Sequence, residues 1–304
     1  MNYTLNQLRI FTQVVKSGSI SKAAEVLDLT QPAVSIQLKN LQRHFDVPLT
    51  ETIQKRLHIT PFGRDIARAA ENLIQEAQGI SQKTKAQQGK LSGRLRISAV
   101  STGKYVIPYF LSSFLSDHQD VELNLDVSNK QGVLGHLREN EVDFALVSTT
   151  PKNAALLSED LMRNELFLVA SSEMHIPRSR NQHDLLRKLT LIFRENGSAT
   201  NQAMNQFLEG NDIRVFRKIQ LTSNEAVKQA VIAGLGVSIL PMIGIRHEIA
   251  AGRLKIIPMK GLPLKTTWRL VWHKDKKHTP VASAFLEHLR KYKTDIVAKW
   301  FGAV

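Results

Sequence analysis

The 304-residue chain contains no cysteine, which excludes disulfides, thiolate metal sites and cysteine nucleophiles. It has no apolar run near the ~20 residues that a membrane span needs. The opening MNYTLNQLRIF lacks the basic flank and apolar core of a secretory signal, so a cytoplasmic protein with no membrane partner is expected. The ten histidines form neither HxH nor HExxH, so no metal site is expected. Ser101-Thr102-Gly103-Lys104 echoes a phosphate loop, but Ser98 and Tyr105 stand where that motif needs glycine and a hydroxyl. Gly234-Leu235-Gly236 follows a helical stretch and precedes a strand, the reverse of a dinucleotide fingerprint, and fits a helix C-cap. No Ser/His/Asp set can be assembled. Neither an enzyme nor a cofactor is expected.

What is present describes an ordinary globular chain of about two domains, with 42% hydrophobic and 22% charged residues. The net charge of +14 is unevenly placed. Residues 1–93 carry 12 Lys/Arg against 7 Asp/Glu, residues 94–252 carry 17 against 17, and residues 253–304 carry 12 against 3. A basic N-terminal unit suits a polyanion; a solvated basic face is the simpler alternative. The neutral middle has a different texture, and the basic C-terminal end fits no assignment.

Residues 17–45 have the pattern of two short helices joined by a tight turn. Ser19 suits an N-cap, and Ala23, Ala24 and Leu27 give the first helix a narrow apolar face. Thr30 caps a second helix with Pro32 in its first turn, where a missing N–H costs nothing. Val34, Leu38, Leu41 and Phe45 recur at helical spacing as one buried stripe. The other side carries Gln31, Pro32, Ser35, Ile36, Lys39 and Arg43, and Ser19 and Lys22 lie at the start of the first helix. Small residues where two helices cross allow the close approach of a helix-turn-helix. Ile53, Leu57 and Ile59 then flank Gln54-Lys55-Arg56 as in a hairpin with a charged tip. Beside a helix-turn-helix that hairpin is a wing, with Lys55, Arg56 and His58 placed for phosphate.

Thr60-Pro61 opens a long helix in which Ile66, Ala70, Leu73, Ala77 and Ile80 follow a 3.5-residue repeat. That repeat favours a dimerisation seam; intramolecular packing is the alternative. From Arg94 onward strands and helices alternate in βαβαβ order, which implies a parallel sheet, and a second such set follows. Two lobes with the chain crossing over and back place a ligand cleft between them. The hydroxyl, amide and cationic residues that end strands or open helices there are Ser101, Thr102, Asn129, Gln131, Ser148, Arg194, Ser198, Thr200, Ser223 and Asn224. Helix N-termini favour anions, although each Ser, Thr or Asn alone fits a helix cap equally well.

These residues resemble the LysR-type transcriptional regulators. Leu8, Phe11, Val14, Ser17-Gly18-Ser19, Ala23-Ala24, Leu27, Thr30-Gln31-Pro32-Ala33-Val34-Ser35, Gln37-Leu38, Leu41 and Leu49 match the family's winged helix-turn-helix, and Thr60-Pro61 with Gly63 match the start of its linker helix. Gly93, Leu95-Arg96-Ile97, Pro108, Phe114, Asp143-Phe144-Ala145-Leu146, Ala230, Gly234-Leu235-Gly236-Val237 and Leu240-Pro241 match its effector domain. The resemblance implies a homo-oligomer, commonly a tetramer of two dimers, on an imperfect inverted repeat of promoter DNA. It also implies a small-molecule effector between two subdomains and RNA polymerase as a further partner. Arg194-Glu195-Asn196-Gly197-Ser198 and the stretch from Ser223 to Ala230 look most like regulators of carbon-fixation or sulfur-assimilation operons, where effectors are small or phosphorylated anions. Two positions depart from the pattern. Ile36 stands where the family often has arginine; it cannot hydrogen-bond a base edge and would touch a thymine methyl instead. Thr50-Glu51-Thr52 replaces the usual Phe-Glu-Arg, removing one phosphate contact.

The expected architecture is therefore an all-α winged helix-turn-helix over 1–60, a linker and dimerisation helix over 61–92, and an α/β two-lobe domain like a periplasmic binding protein over 93–304. Lobe I spans about 93–164 and 268–304, and lobe II about 165–267. The rival is a two-lobe small-anion binding protein or enzyme, which leaves the first 90 residues unexplained.

Overall fold

A computed structural model of the chain describes residues 2–54, 56–87, 90–149, 155–177, 179 and 181–302. Two compact units, Met1–Leu91 and Ser92–Val304, divide the chain.

In the first unit, α1 (Leu5–Ser17) starts at a capping box: Gln7 N donates to Thr4 Oγ1 at 3.2 Å and Thr4 N to Gln7 Oε1 at 2.8 Å. It stops at Gly18, which takes a left-handed conformation. α2 (Ile20–Val26) is capped by Ser19 and α3 (Gln31–Gln42) by Thr30. Ala23 and Ala24 are buried against Val34, Leu38 and Leu41, so the small residues sit where the two helices cross. β1 (Thr50–Ile53) and β2 (Arg56–Ile59) pair antiparallel as the predicted hairpin. α4 (Pro61–Gln87) follows, with Thr60 Oγ1 accepting from Gly63 N at 2.9 Å and donating to Pro48 O at 2.6 Å. Gly63 is required there, because a Cβ would lie 2.0 Å from Leu49 O. The helix runs as far as Gln87.

The second unit is built on one seven-stranded sheet. β3 (Gly93–Val100) pairs in parallel with β4 (Val121–Ser128) and β5 (Phe144–Val147), as the βαβαβ order predicts. The remainder is a correction to an all-parallel sheet. β6 (Leu156–Ser171) and β11 (Leu264–His273) pair antiparallel along their length, and β11 continues antiparallel onto β5. These two strands carry the chain out of the first lobe and back, and a crossing pair that leaves and returns must run antiparallel. Helices α5 (Ile107–Asp117), α6 (Lys130–Arg138) and α11 (Pro280–Phe301) belong to the first lobe. Its core includes Leu95, Ile97, Phe114, Phe144 and Phe285, with the Phe114 and Phe285 rings 5.2 Å apart.

In the second lobe β7 (Leu191–Arg194) pairs in parallel with β8 (Lys218–Leu221). β9 (Ser238–Pro241) and β10 (Leu254–Ile256) join β6 antiparallel, and a bridge from Leu191 to Val237 links the two sets. Helices α7 (Gln182–Lys188), α8 (Ala199–Gly210), α9 (Asn224–Ile232) and α10 (Arg246–Ala250) cover them. No helix among the described residues is long and apolar enough to cross a membrane.

Candidate functional site

The sequence points to two places, one in each unit. On α3, Val34, Leu38 and Leu41 face the core, which turns Gln31, Pro32, Lys39 and Arg43 outward and leaves Ser35 partly covered. Ile36 lies on that outer face at 58% exposure. Lys22 is exposed, whereas the Ser19 hydroxyl is occupied as a cap, accepting from Lys22 N at 3.4 Å. On the hairpin Arg56 and His58 are exposed. Lys55 lies outside the described residues.

The apolar repeat of α4 divides in two. Ala70 is 1% exposed and, with Ile66, packs on the core formed with α1; Lys16 and Glu71 add an ion pair at 2.8 Å. Leu73 and Ile80 are 45% and 67% exposed, and Ala77 is intermediate. The first half of the repeat thus serves its own unit, and the second half faces outward.

The second place is the cleft between the lobes of the second unit. Arg194 ends β7 and is only 2% exposed. Its Nε and Nη2 donate to Glu195 at 2.7 and 2.8 Å, a bidentate fork. Nη2 also reaches across the cleft to Ser101 Oγ at 3.2 Å, and Ser101 in turn donates to Ser128 O at 3.2 Å. Nη1 is buried with no hydrogen-bond partner among the described residues. Asn201, in the first turn of α8, donates to Arg194 O and accepts from Asn205 at 2.7 Å, which fixes the end of the strand. Gly197 then lies against the opposite lobe: Gln131 N donates to Gly197 O at 3.2 Å. Its φ of +86° favours glycine, and an added Cβ would also lie 2.9 Å from Gln131 Oε1, displacing that side chain.

The other predicted residues fall around this contact. Asn129 caps α6 by accepting from Gly132 N at 2.9 Å, and Ser198 caps α8. Thr102, Ser148 and Thr200 are buried; Ser148 lies just beyond Val147 at the end of β5, beside the end of β3. Leu221 is the register partner of Arg194, which brings the start of α9 to the same edge. There Ser223 is an exposed cap, while Asn224 is buried with its Oδ1 unpartnered. A recess of about 630 Å³ opens beside the cleft between α6 and α8, lined by Lys130, Gln131, Arg138, Gly197, Gln202 and Glu209 among others. It shares only Gln131 and Ser198 with the predicted set, so the polar groups at the strand ends are packed inside rather than exposed in the open recess. Lys130, whose Nζ donates to Gln202 Oε1 at 3.0 Å, has its pKa lowered by burial.

Three participants gave little sequence signal. Glu195 follows the last strand residue, so strand alternation says nothing about its direction. Thr149 carries a third orphan, a buried Oγ1, next to the predicted Ser148. Tyr105, read as the residue that spoils a phosphate loop, makes a contact between lobes: its hydroxyl donates to Glu225 Oε2 at 3.4 Å. Lys228 sits behind that carboxylate at 3.1 Å and holds Glu248 at 2.6 Å. Burial alone would lower the Lys228 pKa, but hydrogen bonds to Glu248 and Glu225 outweigh it and raise the value. The Glu225 carboxyl is held low, first by the Gln229 amide and then by Lys228 against burial. Burial raises the Tyr105 phenol, so it stays a donor. Among the described residues no group of histidines and carboxylates could hold a metal ion.

Two family models match the chain: the bacterial regulatory helix-turn-helix of the lysR family over residues 5–64, and the LysR substrate binding domain over residues 88–293. The chain is 32% identical over 289 residues to the HTH-type transcriptional activator CmpR of Synechocystis, covering 95% of each chain. It is 35% identical over 286 residues to the HTH-type transcriptional regulator CbbR of Rhodospirillum rubrum, covering 94% of this chain and 95% of that one. Among solved structures, the regulatory domain of Synechocystis CcmR in complex with 2-PG superposes with a TM-score of 0.62 at 28% identity, covering 67% of this chain and 99% of that one.

Proposed function

Since this chain belongs to the LysR family of DNA-binding transcriptional regulators with an effector-binding domain, we propose that it regulates a promoter in response to a small anion held between its two lobes. The observation that carries this reading is Arg194: a guanidinium removed from water at the interlobe contact, with Nη1 unmatched. Leaving a buried charged donor unpaired is costly, so the site is completed by an acceptor-rich guest. Ser101 bonds Arg194 directly, and in this reading Thr102, Asn129, Gln131, Ser148, Ser198, Thr200, Ser223 and Asn224 complete the effector site. CcmR, whose regulatory domain is solved in complex with 2-PG, supports a small-molecule guest in this domain.

Gln31, Pro32, Ser35, Ile36 and Lys39 face the major groove in this reading, with Ser19, Lys22, Arg43, Lys55, Arg56 and His58 on or near the backbone. The outward half of α4, from Leu73 to Ile80, meets a second copy, giving two readers for an inverted repeat and a tetramer of two dimers. The protein works in the cytoplasm, with RNA polymerase as its further partner. The likeness to RuBisCO operon transcriptional regulators supports a role in carbon-fixation control.

Two experiments test this reading. Selection of random duplexes with the full chain returns a two-fold related consensus, and a thermal-shift panel of phosphorylated acids and inorganic anions finds stabilising ligands. A selection without consensus contradicts the DNA assignment. A panel in which none of these anions stabilises the protein contradicts the anion site.

A further inference from the structure

The fork that holds Arg194 is supplied by the next residue in the chain. Glu195 takes Nε and Nη2 through both of its oxygens, and it is largely buried itself, with 17% of its side chain exposed. Within the cleft, the cation and the carboxylate cancel. The guanidinium nitrogen left without a hydrogen-bond partner among the described residues is Nη1, and the Glu195 carboxylate is held on the other two nitrogens of the same group. That arrangement is poor for maximal affinity. An anion entering beside Nη1 meets Glu195 at short range in a site from which water is excluded, where unlike and like charges both act strongly.

We propose that Glu195 is a specificity-determining residue: an internal carboxylate that occupies the fork of Arg194 and so weakens anion binding in proportion to the anion's charge. The inference rests on the cleft being the anion site. Its consequence is a cleft set to respond over a high range of effector concentration and to favour less charged guests over multiply charged ones. Ser101 has a different role, because it joins Nη2 to the opposite lobe without adding charge. The other lining groups with orphan atoms, Thr149 and Asn224, are neutral, so Glu195 supplies the negative charge next to the cation.

The test is calorimetric titration of the full chain with 2-phosphoglycolate, glycolate and inorganic phosphate, in wild type and in the Glu195→Gln variant. The amide keeps the shape and one acceptor while removing the charge. The expected result is affinity for 2-phosphoglycolate tightened by about tenfold or more, with a smaller gain for the singly charged glycolate. Equal gains for both, no gain, or weaker binding overturns the proposal and makes Glu195 a positioning residue for Arg194. Unpairing a buried cation can unfold the lobe, so Glu195→Asp is measured in parallel. The shorter carboxylate keeps the charge but loses the two-point fork, and the proposal expects no charge-graded gain from it. A charge-graded gain in that variant also overturns the proposal. Arg194→Gln separates the two ideas: if it binds all three anions as wild type does, the anion site itself is misplaced. If it loses them while Glu195→Gln changes nothing, only the role of Glu195 fails.

Discussion

Arg194 on one lobe and Ser101 on the other are joined across the cleft by a hydrogen bond of 3.2 Å, from Nη2 to Oγ. Ser101 passes the link to the backbone of Ser128, so the end of β7 is tied to the ends of β3 and β4. A guest that engages Arg194 therefore acts on the same group that holds the lobes in register. A ligand can shift this equilibrium only by binding one lobe arrangement better than another, and this bond gives it a place to do so.

Ser101→Ala removes the acceptor across the cleft and leaves the cation paired with Glu195. Effector affinity is expected to fall several-fold, about 1 kcal/mol, without loss of DNA binding. Calorimetric titration beside a mobility-shift assay checks both halves. An unchanged effector affinity would detach this bond from the effector response.

Gly197→Ala places a Cβ 2.9 Å from Gln131 Oε1 on a residue with φ of +86°. The expected loss of stability is about 1–3 kcal/mol. Gly210→Ala is the control, because its Cβ would meet nothing within 4 Å and its φ is not positive; a change within about 0.5 kcal/mol is expected. Denaturant unfolding of the two variants should separate them, and equal midpoints contradict the close-approach account.

Ile36→Arg replaces an exposed apolar contact on α3 with a bidentate donor suited to guanine. Selection of binding sites is expected to return a consensus changed at one position of each half-site. The same consensus from both proteins would mean that residue 36 does not touch the bases.

Lys276 is buried in the first lobe, donating to Asn140 Oδ1 at 2.5 Å and Val142 O at 2.7 Å, with Asp143 at 3.8 Å. Burial lowers its pKa to about 8 from 10.5, with Asp143 opposing the shift and Arg96 adding to it. Below pH 8 both folded and unfolded chains hold the proton, and the folded chain carries the cost of a buried charge. Between pH 8 and 10.5 the unfolded chain holds more protons, so this group makes stability rise with pH, by up to about 3 kcal/mol. Lys276→Met should lack that rise. Unfolding free energies of both proteins across the window, taken as a difference, check it; parallel curves contradict it.

Much of the fold was legible because local chemistry and tertiary packing agree. Ser19, Thr30, Thr60, Asn129, Ser198 and Ser223 each accept a hydrogen bond at the helix start that their position suggests. The antiparallel crossing of β6 and β11 was not legible, since it depends on pairing residues about a hundred positions apart, such as Asn164 with Thr266. Helices α7 and α10, of seven and five residues, are too short to show a 3.6-residue period. In the cleft, hydroxyl and amide residues were found by their place after strands, but Glu195 and Tyr105 act through side-chain direction, which sequence spacing does not encode. The α4 repeat was visible as a repeat. Its division was not, since Ile66, Ala70 and Ile74 pack on the core formed with α1 while Leu73 and Ile80 are exposed.

The account's central claim is that a DNA-reading unit is governed through Arg194. Its most direct test is a footprinting titration of the full chain on its selected operator, with and without 2-phosphoglycolate, for wild type and Arg194→Gln. The expected result is that both proteins protect the operator equally without ligand, and that ligand alters the extent of protection for wild type only. An Arg194→Gln protein that still responds to the ligand as wild type does would contradict the claim.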